Sequence, residues 1–149
     1  ATLSYDPLGR LWQVTGSGST TRFFYDGDRL ISETDGSGNL LRAYAHGAGS
    51  DTPLVWWELV PGAGPVRRFL HADHQGSIVA VSDAATGNML AINAYEPWGI
   101  PNQTSVSTVG RFGYTGQAWL PEIGLWYYKA RVYSPTLGRF LRKDRIHRA

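Results

Sequence analysis

His71, Asp73 and His74 place two imidazoles and a carboxylate within four residues, the donor types that hold Zn or Mn. Their spacing lacks the histidine pair of the common metal-hydrolase motif. Asp73-His74-Gln75-Gly76 reads instead as a tight turn, so no metal is expected there. Ser, His and Asp all occur, but no Gly-x-Ser-x-Gly elbow stands among them, which leaves a nucleophilic triad unsupported. No Gly-x-x-x-x-Gly-Lys loop is present to cradle phosphate, and no cofactor is expected. Trp56, Trp57, Trp98, Trp119 and Trp126 are suited to stacking on sugar rings. Packing on cross-strand neighbours accounts for them better. The absence of cysteine excludes disulfides and thiolate-held zinc.

Any such groups would have to be positioned by short strands and tight turns. Tyr5-Asp6-Pro7-Leu8-Gly9-Arg10-Leu11 returns twenty residues later as Tyr25-Asp26-Gly27-Asp28-Arg29-Leu30. Tyr44, Tyr95-Glu96-Pro97-Trp98-Gly99 and Tyr133-Ser134-Pro135 continue the series. Each copy reads as strand, turn, strand: an aromatic ends one strand, Asp, Pro and Gly make the turn, and Arg-Leu or Arg-Phe starts the next. Asp35–Asn39, Pro61–Pro65, Asp73–Gly76 and Asp83–Asn88 are further turns. They separate expected strands at Leu30–Thr34, Leu40–Tyr44, Leu54–Val60, Val66–Leu70 and Ser77–Ser82. The fold class is therefore all-β, with antiparallel hairpins forming a curled sheet of about nine or ten strands. Helical periodicity is absent. Residues 47–53 and 100–109 are longer loops, and the second is the best candidate for a mobile one.

The 149 residues suit one domain, with 42% hydrophobic and 17% charged residues. Glycine (18) and aromatic residues (19) are abundant, which favours turns and cross-strand pairs. No apolar run is long enough to span a bilayer as a helix. The net charge of +2 is uneven: residues 1–141 carry −1 and residues 142–149 carry +3. That divides the chain into a β core, 1–141, and a basic C-terminal tail, 142–149. The body has no basic stripe, so nucleic acid is an unlikely partner. The chain begins inside a repeat and reads as a piece of something longer.

The Tyr-Asp repeats resemble the YD repeats of Rhs (rearrangement hot spot) proteins, toxin-complex C components and teneurins. The motif residues are Tyr5, Asp6, Gly9, Arg10, Tyr25, Asp26 and Arg29. His71–Ser77 followed by Tyr95–Gly99 resembles the opening of the Rhs-associated core. Arg111–Gln117, Gly124–Tyr133 and Gly138-Arg139-Phe140-Leu141 resemble its close, and carry Gly116, Gly124, Tyr133, Gly138, Arg139 and Phe140. The resemblance implies part of a hollow β-shell that encloses a C-terminal toxin until delivery, commonly to a rival cell, in a protein secreted or exported from a bacterium. It implies partners in the rest of the shell or in a toxin domain. It also implies an aspartyl self-cleavage site, in which Arg131 stands at the family's arginine and Asp144 at an aspartate. Val132 stands where toxin-complex members have a second aspartate, and Arg145 where the family has proline. A second carboxylate would have to come from Glu122 or Asp73. Two carboxylates must share a proton for this chemistry, so the cutting machinery reads as incomplete and the chain as no enzyme. The competing expectation is a self-assembling β protein whose copies join through sheet edges.

Overall fold

The computed structural model describes residues 1–49, 51–101, 110–129 and 131–141. The mobile loop expected near residues 100–109 falls mostly on 102–109, outside the described residues, as does the whole basic tail. The described residues form thirteen strands in two antiparallel sheets. The first is a nine-stranded meander in strict sequence order: β1 (Thr2–Tyr5), β2 (Leu11–Gly16), β3 (Ser19–Asp26), β4 (Arg29–Asp35), β5 (Leu40–His46), β6 (Pro53–Val60), β7 (Gly64–Ala72), β8 (Ile78–Asp83) and β9 (Met89–Ile92). A one-turn 3-10 segment, Tyr114–Gly116, precedes the second sheet. That sheet runs β10 (Ala118–Leu120), β11 (Leu125–Tyr128), β12 (Arg131–Ser134) and β13 (Arg139–Leu141).

Each strand buries one face, and β-bulges break its two-residue period, so that Leu11 and Val14, or Leu30 and Glu33, are buried three residues apart. In register across the meander, Leu3 faces Val14, Tyr44 faces Trp56, and Leu70 faces Val81. All six are buried. The second sheet supplies the other half of the core: Ala118, Leu120, Leu125, Tyr127 and Val132 join the same cluster, together with Phe112. The C-terminal third therefore folds back as a second layer over the meander, the usual solution for a sheet with one apolar face. Leu120 and Val132 are fully buried; a side chain of that kind contributes about 1.5–3 kcal/mol. The strand count exceeds the nine or ten read from sequence because β10–β13 are only three or four residues long.

Candidate functional site

The recurring Asp-x-x-Gly turn is built from one hydrogen-bond plan. In the loop opened by Asp6, the Asp6 N–H donates to Arg10 O (2.8 Å) and the Gly9 N–H donates to Asp6 O (2.9 Å). The Asp6 carboxylate then accepts the N–H groups of Leu8 and Arg10, each at 2.9 Å. Loops opened by Asp35 and Asp73 repeat this with Ser37 and Asn39, and with Gln75 and Ser77. The same backbone pair closes the loops opened by Glu96 and Gly113. The fourth residue takes the left-handed conformation, with φ from 75° to 93° at Gly9, Gly38, Gly76, Gly99 and Gly116. This is the three-residue hairpin with a glycine bulge, and a β-carbon is disfavoured there. Tyr25-Asp26 enters a shorter loop, in which Gly27-Asp28 joins Asp26 directly to Arg29.

At three places an aromatic side chain stitches one hairpin to an earlier strand. The Tyr25 hydroxyl donates to Leu11 O and the Tyr95 hydroxyl to Ile78 O, both at 2.7 Å. The His46 Nε2 lies 2.7 Å from Leu30 O, so that nitrogen carries the proton. Each acceptor is the strand residue just past a turn. Arginines reach forward in the same way: Arg10 donates to Gly27 O and Arg29 to Ala48 O. Arg10 also pairs with Asp6 and lies 5.2 Å from the Tyr25 ring centroid. The Leu11 N–H donates to the Tyr127 hydroxyl, so the second sheet joins the stitching. Burial pushes the Tyr25 phenol far up, keeping it neutral as a donor. We expect Tyr25→Phe to lower unfolding free energy by about 1 kcal/mol in urea titration, the value of one net hydrogen bond.

Between the two layers lies a charge cluster that sequence alone did not single out. Glu33 is fully buried, opposite Phe23 and Arg42 in the register. Arg111 Nη2 donates to its Oε1 at 2.7 Å, Arg42 Nη1 donates to the same oxygen at 3.0 Å, and the Tyr44 hydroxyl donates to Oε2. Arg111 also donates to Trp119 O at 2.8 Å and lies over the Phe23 ring. Arg42 reaches on to Glu58, which accepts the Trp56 indole N–H as well. Burial alone would raise the Glu33 carboxyl, but Arg111 and Arg42 outweigh it and hold it below its usual range. The visible signal was an acidic residue on the inward register of β4, with Arg42 on the facing strand.

Beside this cluster His46 packs edge-on against Phe112, with ring centroids 5.6 Å apart. Its Nδ1 is buried and has no hydrogen-bond partner among the described residues. Burial lowers its proton affinity, and Arg29 and Lys129 nearby add to that. His46 lines a cleft of about 20 Å³ with Leu30, Asp51, Gln117 and Lys129, room for roughly one water. A neutral folded imidazole stabilises fully above its unfolded value near 6.5 and loses that contribution as pH falls toward the lower folded value. Melting temperature should therefore drop between pH 7 and 5, and drop less in His46→Gln; parallel curves would refute this role.

Arg131 begins β12 and is exposed, stacked 4.1 Å from the Phe140 ring centroid. Asp144 lies outside the described residues. Glu122 stands in the β10–β11 turn with one buried oxygen lacking a partner, close to where Gly16 would carry a Cβ. Arg131 is at the other end of β11, opposite Tyr128, about 10 Å away along the strand. Asp73 is committed to its own loop. His71 bonds Ser82 Oγ at 2.7 Å, while His74 sits in the turn. Of the five tryptophans considered for sugar stacking, Trp56 and Trp126 are buried and Trp98 is 64% exposed.

Family comparison places these features. The teneurin YD-shell model matches residues 65–148 and the RHS repeat model matches residues 5–40. The tRNA nuclease WapA of Bacillus subtilis (strain 168) is 37% identical over 109 residues, 72% of this chain and 4% of that protein. The tRNA3(Ser)-specific nuclease WapA of Bacillus spizizenii is 36% identical over the same length. The chain thus spans about 4% of the length of these curated relatives. A crystal structure of TcdB2-TccC3 shares the fold, with a TM-score of 0.51 and 22% identity over 95% of this chain and 9% of that one. A second, TcdB2-TccC3-TEV, gives 0.52 and 20% with the same shares. No helix among the described residues is long and apolar enough to cross a membrane. With a family model covering more than half its length, the chain belongs to the Rhs/YD-repeat family.

Proposed function

We propose that this chain is a wall segment of an Rhs-type shell, exported from a bacterium, that encloses a toxin domain and carries it to a rival cell. The observation that carries this reading is the stitching between hairpins along the meander. Tyr25, His46 and Tyr95 bond backward, and Arg10 and Arg29 reach forward, so the sheet is built to continue strand by strand. Relatives named as tRNA nucleases supply the class of cargo such a wall would hold. Partners on this reading are the remaining wall and the enclosed domain.

A second reading, edge-to-edge self-assembly, draws on β9, where Met89 is 56% and Ile92 72% exposed. Size-exclusion chromatography with light scattering separates the two. The wall segment predicts a single species near 16.4 kDa; a large regular polymer would replace it with the assembly reading. Self-cleavage is the third reading, and we propose that this chain does not perform it. Purified protein should stay one intact band through long incubation. A discrete fragment that Asp144→Asn abolishes would reinstate the protease.

A further inference from the structure

The meander has a second face that the wall reading leaves unused. Phe23, Glu33, Arg42 and Glu58 lie side by side on the inward side, so their sequence neighbours point outward. The outward row runs Phe24, Ser32, Ala43, Trp57, Arg67 across β3 to β7. Ala45 and Phe69 flank it, joined in register through Val55. Phe24 is 38% and Phe69 39% exposed. Arg67 is exposed and Trp57 half-buried. Large apolar side chains left open in one continuous row mark an interaction surface.

Shape and charge say what would cover it. Ser32, Ala43 and Ala45 are small and make a low floor along β4 and β5. Phe24 forms one bank, with Trp12 edge-on at 5.4 Å, and Trp57 forms the other. These banks stand on β3 and β6, three strand spacings or about 14 Å apart. An extended peptide lying there would find no backbone partners, because β3 to β6 are each paired on both sides. An α-helix satisfies its own backbone and is about 10–12 Å across, so it fits between the banks. Each bank carries a guanidinium: Arg22 lies 5.8 Å from the Trp12 ring centroid, and Arg67 lies 5.6 Å from that of Phe69. Among the outward residues of β2 to β7 the one carboxylate is Asp26, at the tip of β3. A second copy of this chain is a poor occupant. Its described residues form no α-helix, and two cationic faces would meet.

We propose that this trough docks an acidic amphipathic α-helix of another polypeptide. The helix lies along β4 and β5, with its aliphatic stripe on Ser32, Ala43 and Ala45. Phe24 and Trp57 flank the stripe, and carboxylates on its two sides pair with Arg22 and Arg67. Such docking goes beyond the wall reading and stands whether or not a toxin is enclosed.

The test uses the chain as it is, titrated into a fluorescein-labelled helical peptide and followed by anisotropy. The peptide carries Leu and Ala on one face and Glu on the other. The same titration is made with Lys in place of Glu, and with the Glu peptide scrambled so that no apolar stripe forms. The Glu helix should bind at least about tenfold tighter than either control. Ala43→Gln, which fills the floor, and Arg67→Glu, which reverses a charge, should each weaken it about tenfold. Circular dichroism checks that both variants fold; Arg67 is exposed, so its replacement keeps the test decisive if Ala43→Gln does not fold. Four results would overturn the docking: equal binding of the Glu and Lys helices, equal binding of the scrambled peptide, absence of binding, or unchanged affinity in Arg67→Glu.

Discussion

Glu33→Gln will destabilise the protein by about 3–5 kcal/mol in urea unfolding followed by tryptophan fluorescence. The substitution keeps shape and removes charge. Arg111 keeps the amide oxygen at position 33, Trp119 O and the face of Phe23, but it loses the buried negative charge that offset its own. Arg42 keeps Glu58. A stranded buried guanidinium is far more costly than a missing ion pair, because its desolvation is no longer offset. The double variant Glu33→Leu/Arg111→Met removes both charges, so it should recover most of the loss. The pH dependence follows from the depressed carboxyl. Glu33 stabilises fully above the ordinary carboxylate range near 4.3, and that contribution is lost as pH falls through its lower folded value. Glu33→Gln should therefore show a shallower loss of stability in acid than the parent. A single-variant cost below about 1 kcal/mol would mean that this pair does not hold the two sheets together.

Gly116→Ala will cost about 3–4 kcal/mol, whereas Gly124→Ala will cost about 1 kcal/mol. Both glycines have positive φ, 75° and 65°, so both substitutions carry the left-handed penalty of roughly 1–2 kcal/mol. They differ in what a methyl group meets. At Gly116 it would lie 2.6 Å from Asp51 O and 3.2 Å from Gly76 O. Both are backbone atoms and cannot swing aside. At Gly124 nothing lies within 4 Å. Gly116 thus marks where the second layer presses its turn against the loops after β5 and β7. Thermal melts of the two variants side by side measure the difference; equal shifts would show that the close approach does not constrain the fold.

The meander was legible because its information is local. Asp6, Asp35 and Asp73 cap loops whose partners lie two and four residues away, and these turns mark where the flanking strands end and begin. The closure of the second layer was not legible. It depends on Arg111 meeting Glu33, 78 residues away, and on Tyr127 meeting Leu11, 116 residues away. No periodicity announces such pairs. The strands involved are also too short for alternation to stand out. In sequence Arg111 stands out only as the start of the Arg111–Gln117 segment; the register, which places Glu33 inward on β4, names its partner. Arg131 is where β12 begins, exposed and stacked on Phe140.

The most direct measurement is protease protection of the polypeptide made from the complete coding sequence at its locus. Proteinase K is added under native conditions and again after the sheets are unfolded in urea. If the chain is such a wall, a domain that the complete polypeptide encloses survives the native digest intact and is degraded once the wall is opened. Equally rapid loss of that domain in both conditions would contradict the wall reading.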